Sequence, residues 1–197
     1  MQTKVTVVPG LSKREIEQIA LSLLQEIQPQ ALTLDVAVDV ESLYEFYIPE
    51  KCGIETGYTD LSGLGPGILG YTDAVSMRSS VDKTLSDSTE GGLLRRFRAT
   101  VGHESFHCMK HVQAVRYFRS TSHGRDEALY RVERTKVRPF EDPEWQSWRF
   151  ARAYLMPMQR IRCYSAEGLS PHQMAEIFDL NPAFVEVRLK NLGLETK

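Results

Sequence analysis

The sequence predicts an α+β fold, helices around a small sheet, on three observations. Its 197 residues, 42% hydrophobic and 25% charged, suffice for one compact domain with a core, or for a domain with a small appendage. Apolar residues recur at helical spacing near the start of the chain. Two short runs rich in β-branched and aromatic residues follow at 68–72 and 75–80, the pattern of a hairpin or small sheet.

Composition also excludes classes of function. No apolar stretch approaches the roughly 18 to 20 residues of a membrane span, and residues 1–11 lack a basic-then-apolar signal pattern. A soluble, cytoplasmic protein is expected. Cys52, Cys108 and Cys163 are odd in number and widely spaced, so they read as reduced thiols rather than a disulfide frame or a thiolate zinc cluster. The net charge of −2 hides an uneven distribution: −8 over residues 1–91, +8 over 92–162 and −2 beyond. The basic middle fits either a nucleic-acid partner or, more ordinarily, a surface that meets the acidic first third.

The elements follow in order. Ile16, Ile19, Ala20, Leu23, Leu24 and Ile27 mark one face of a helix over 11–27, with Ser12 and Glu15 as a capping box and Pro29 as its stop. A shorter helix runs from Asp39 as N-cap through Leu43, Tyr44 and Tyr47, and ends before Pro49. Residues 53–70, with Gly63, Gly65, Pro66 and Gly67 crowded together, read as turns and a loop, and 86–92 as a polar break. A helix is predicted over 94–112. The polar, basic stretch 116–142 is either an excursion or a β-hairpin through 129–137. Asp142 and Pro143 then open a helix that runs to Met156 and halts at Pro157. Two short helices close the chain: 171–178, capped by Ser170 with Gln173, and 182–191, capped by Asn181 and ended by Gly193.

Chemistry enters at His103, Glu104 and His107, which spell H-E-x-x-H within the predicted helix. One turn apart, both imidazoles can reach a single ion, while Glu104, offset by about 100°, can touch water on that ion. A catalytic zinc usually takes three protein ligands. His111 lies eight residues beyond His103, a rise of about 12 Å, too far to share the ion, and reads as a residue behind the site or facing substrate. Glu144 is the better third ligand, because it shares a stripe with Trp148, Ala151 and Leu155, where a bare carboxylate is costly. Favourable interaction with the helix macrodipole explains it as well, and Glu141 and Asp142 are rivals. His111 and Tyr154 are candidates for stabilising an oxyanion.

Arg96-Phe97 ahead of Val101-Gly102-His103-Glu104, His107 and His111, then Glu144-Trp145-Gln146 before Phe150-Ala151 and Leu155-Met156-Pro157, resembles the ImmA/IrrE-type metallopeptidases. These are intracellular, gluzincin-like proteases. The resemblance covers most of the chain, including Leu69-Gly70-Tyr71-Thr72-Asp73 and the terminal Arg188-Leu189-Lys190-Asn191-Leu192-Gly193-Leu194. It implies a zincin-like catalytic domain over 1–162, with a helix-turn-helix-like extension over 163–197 packed on it. It also implies zinc on His103, His107 and Glu144, Glu104 as general base on zinc-bound water, and a protein substrate such as a helix-turn-helix repressor. The chain departs from the family at Ser105-Phe106 and Ser147-Trp148, where bulky Phe106 and Trp148 bear on the width of the cleft.

A rival reading is a DNA-binding or protein-interaction regulator with a degenerate or structural metal site. Residues 170–193 have the length of a helix-turn-helix with Asp179-Leu180-Asn181 as its turn. Against it, Arg188 and Lys190 are offset by Glu176, Asp179 and Glu186.

Overall fold

The computed structural model describes residues 4–121, 131–133 and 137–194. It is α+β and mostly helical. Strand β1 (Lys4–Thr6) leads to α1 (Lys13–Ile27), whose N-terminus carries the reciprocal Ser12–Glu15 capping box and whose Ile16, Ala20, Leu23 and Leu24 are buried. A π-helical turn, Ser42–Tyr47, runs directly into α2 (Ile48–Cys52). Pro49 therefore does not end this helix as expected. It lies within the continuous helical run, where the Tyr44 carbonyl five residues before it accepts from Thr56 Oγ1 at 2.9 Å, and Gly53 at φ 65° ends the helix instead.

Strands β2 (Glu55–Thr59), β3 (Gly70–Asp73) and β4 (Arg78–Asp82) form the small sheet in the order β2-β4-β3, with β4 parallel to β2 and antiparallel to β3. The sheet differs from expectation in two ways. Residues 55–59 are a strand rather than loop, recruited by pairing with β4. The second strand begins three residues later than the apolar run suggested, because the Asp73 carboxylate accepts hydrogen bonds from the backbone N–H groups of Val75 and Ser76 and closes a turn around them.

Helix α3 (Lys83–Ser86) precedes the expected polar break and shares only Ser86 with it, and α4 (Gly91–Phe106) follows, opening within that break. A π-helical turn, His107–His111, joins α4 to α5 (Val112–Thr121), so the helical run extends nine residues past the expected end. Strand β5 (Arg131–Glu133) pairs antiparallel with β1; the rest of the candidate hairpin over 129–137 lies outside the described residues, except Val137. Asp142 caps α6 (Pro143–Leu155) by accepting from the Glu144 N–H at 2.9 Å. Pro157, expected only as a stop, also opens α7 (Met158–Ala166). Helices α8 (Pro171–Phe178) and α9 (Pro182–Leu192) close the chain, α8 with its Ser170–Gln173 box and α9 with left-handed Gly193.

The division expected after Arg162 falls inside α7, and one hydrophobic cluster runs from Ile16 and Tyr44 through Phe150 to Phe178 and Leu189. Arg188, 1% exposed, locks α9 down: its guanidinium pairs with Glu17 on α1, and its Nε donates to the Met156 carbonyl at 3.2 Å. Among the described residues, no helix is long and apolar enough to cross a membrane.

Two packings position the site. Helices α4 and α6 run antiparallel in close contact because Gly102 leaves room for Ala151; a Cβ on Gly102 would lie 3.3 Å from the Ala151 Cβ. The sheet lies on the other side of α4, with Gly70 of β3 against Glu104.

Candidate metal centre

His103, His107 and Glu144 converge. The two Nε2 atoms are 3.0 Å apart, and each lies 3.4 Å from an oxygen of Glu144. Four donors around an ion at 2.0–2.1 Å in a tetrahedron are separated by about 3.3 Å. The two 3.4 Å separations are to the two different oxygens of Glu144, close to that spacing, and one ligand atom from each of the three residues lies within 4.8 Å of the others, so the group could hold a metal ion. The donor set fits such an ion chemically too: two imidazole nitrogens and a carboxylate.

The charge balance points the same way. Contacts with His103 and His107 hold the Glu144 carboxyl well below the usual carboxylate range. Burial pushes the His107 imidazolium down, but the Glu144, Glu104 and Asp142 carboxylates outweigh that and raise its pKa. The carboxylates thus favour positive charge at the point the three donors face.

Behind His107 runs a chain of hydrogen bonds with a fixed sense. The Gln146 amide nitrogen donates to the carbonyls of Pro9 and Phe140, at 3.0 and 2.7 Å, so its Oε1 must be the acceptor facing His111 Nε2 at 2.9 Å. Burial, reinforced by His107, pushes the His111 pKa down to about 3 and keeps the ring neutral. With its proton on Nε2, His111 accepts at Nδ1 from His107 Nδ1, 2.9 Å away. His107 thereby turns Nε2 toward Glu144 and His103, placed to give its lone pair to an ion when one is bound. His103 has no such support: its buried Nδ1 has no hydrogen-bond partner among the described residues, and its ring is packed against Trp148 at 4.2 Å between centroids.

Glu104 is held from the sheet. Its Oε2 accepts from Thr72 Oγ1 at 2.6 Å; Thr72 meets Ser79 Oγ at 2.8 Å, and Tyr44 donates to Ser79 at 3.0 Å. Gly70 makes room, since a Cβ there would overlap the Glu104 carboxylate and lie 2.7 Å from its Cγ and Cδ. The other oxygen, Oε1, lies 4.0 Å from His103 Nε2, beside the three-donor group.

The remaining expected residues separate cleanly. His111 is outside the three-donor group and contacts His107 and Gln146. Asp142 caps α6, and neither it nor Glu141 joins the group. Tyr154 is not brought to the site: it is fully buried, stacked on Phe150, with a hydroxyl that has no hydrogen-bond partner among the described residues. Phe106 is also fully buried against Phe150 and does not narrow the cleft, whereas Trp148 lines it. Gly70, Thr72, Ser79 and Gln146 were not singled out by the sequence for the site. Gln146 was legible in principle, because a polar residue between Trp145 and Phe150 on a helix that buries its neighbours needs a partner.

Above the group opens a cavity of about 540 Å³, lined by Gly70 of β3, His103 of α4, Glu144 and Arg152 of α6, and Phe184 and Val187 of α9. The last helix, α9, therefore walls the cleft. The chain matches no model of a known protein family and no curated protein.

Proposed function

We propose that this protein is a zinc-dependent endopeptidase acting in the cytoplasm, with a zincin-like site and a regulatory protein, such as a helix-turn-helix repressor, as substrate. One observation carries the reading: Glu104 turns a free carboxylate oxygen toward the His103, His107 and Glu144 group, which converges beneath a cleft. His103, His107 and Glu144 would hold the zinc, which when bound lowers the pKa of its water and polarises a carbonyl. Glu104 takes the water's proton at Oε1 while Thr72 keeps Oε2 in place, then delivers that proton to the leaving amine. His111 and Gln146 fix the tautomer of His107. Strand β3, at the edge of the sheet, offers backbone groups along which an extended peptide can lie. The resemblance in motif order supports the substrate class, and the free thiols of Cys52, Cys108 and Cys163 suit a reducing compartment.

The DNA-reading alternative is weakened by α9 itself. Arg188 is buried against Glu17, and the exposed side chains of α9 are Ala183, Glu186, Val187 and Lys190, a face with no net charge.

The test is paired. Wild type should carry about one zinc per chain by mass spectrometry and hydrolyse a repressor-type protein or peptide mixture. Glu104→Gln should keep the zinc and lose about 10²- to 10⁴-fold in rate. Wild-type activity in Glu104→Gln, or no metal uptake by wild type, would refute the proposal.

A further inference from the structure

Three arginines line the cleft, and they are not equivalent. Arg95 is matched, pairing with Glu176 at 2.7 Å and with Asp179 at 3.3 Å. Arg96 stands in solvent. Arg152 is half-buried. It donates through Nη1 to the Trp148 carbonyl at 3.1 Å and lies over the rings of Trp148 and Phe184, 5.9 and 4.9 Å from their centroids. Among the described residues its buried Nε has no hydrogen-bond partner and no carboxylate pairs with it. Burial, with Arg149 and Arg188 nearby, pushes its pKa down to about 10.

A guanidinium held against two aromatic rings, with an amino group unused, has the form of a receptor for an anion. Nε is enclosed by protein, and Nη1 is taken by the Trp148 carbonyl, so the remaining amino group, Nη2, is the donor left for a carboxylate oxygen. Glu144, on the same wall, disfavours a more highly charged ligand such as a phosphate dianion. Arg152 lies eight residues beyond Glu144 on α6, a rise of about 12 Å, and its head folds back by about one turn toward the Trp148 carbonyl. At about 3.3 Å per residue, an extended peptide spans the remaining distance in about two residues.

We infer that Arg152 determines the specificity of this cleft by binding a substrate carboxylate one or two residues from the bond held at the metal group, supplied by an Asp or Glu side chain or by the chain's C-terminus. The inference rests on the peptidase reading, and its test separates the two.

Zinc-loaded protein is given synthetic decapeptides, acetylated and amidated at their ends, with Glu or isosteric Gln at each position in turn, and a free-acid twin of each Gln peptide. A Glu within two residues of the cut should raise kcat/KM about tenfold over its Gln twin. That ratio should fall to about one in Arg152→Gln, persist in part in Arg152→Lys and persist in full in Arg96→Gln. Arg152→Glu should favour Lys over Gln at the same position. A gain confined to the free-acid peptides assigns the carboxylate to the terminus. A wild-type ratio of about one throughout, or a preference that survives Arg152→Gln, overturns the inference. Should wild type cleave nothing, the peptidase reading fails, and the pocket is then read by binding. Zinc-loaded Glu104→Gln protein should bind Glu peptides more tightly than Gln twins by tryptophan fluorescence, a difference lost when Arg152→Gln is added. Equal binding overturns the inference.

Discussion

Glu104 and His107 are three residues apart in the chain, yet opposite walls of the cleft hold them by different chemistry. The sheet wall is neutral: Thr72, Ser79 and Tyr44 form a row of hydroxyls ending on the Glu104 carboxylate, and Gly70 supplies the space for it. Thr72 donates to the carboxylate with Ser79 and Tyr44 behind it, so this wall fixes where the carboxylate lies, as a base requires. The helical wall is directional. Its chain runs from His107 through His111 and Gln146 to two backbone carbonyls, which accept only, so every proton along it is assigned. This wall fixes a lone pair, as a metal ligand requires.

Breaking each wall should give a different signature. The largest effect belongs to the donor group itself: His107→Ala should lower zinc affinity by more than about a hundredfold, read as metal per chain after dialysis against a chelator. Next comes Gly70→Ala. The added methyl displaces the Glu104 carboxylate, so hydrolysis should fall about a hundredfold while zinc content stays at the wild-type value; loss of zinc in this variant would mean the walls are not separate. Gln146→Leu should do the reverse, lowering zinc affinity about 10- to 100-fold in a competition titration, with hydrolysis restored when zinc is in excess. Smallest should be Thr72→Val, which removes one hydrogen bond to Glu104. A loss of about 1 kcal/mol, roughly fivefold in rate at unchanged zinc affinity, is expected from steady-state kinetics.

The helical wall was largely legible and the sheet wall was not. His103, His107 and Glu144 announce themselves because one-turn spacing on a helix and a carboxylate on an apolar stripe are local patterns. The structure brings those three together and sets Tyr154 apart in the core. Thr72 and Ser79 carry no such mark. They are small hydroxyl residues in short strands, and their use depends on β4 pairing with β3 and on α4 crossing the sheet. Expecting residues 53–70 to be loop hid β2 for the same reason, since Glu55–Thr59 is a strand by virtue of its partner.

Caps, proline positions and the period of apolar residues sufficed to place α1, α6, α8 and α9 close to their observed bounds, because those signals act within a turn or two of the chain. Tertiary structure alone decided three further things: the direction of the proton chain behind His107, the space that Gly70 leaves for Glu104, and the use of α9 as a cleft wall with Arg188 turned inward onto Glu17. Each joins segments tens of residues apart or more. Such contacts depend on which faces meet, and helical period and capping chemistry specify a face without naming its partner.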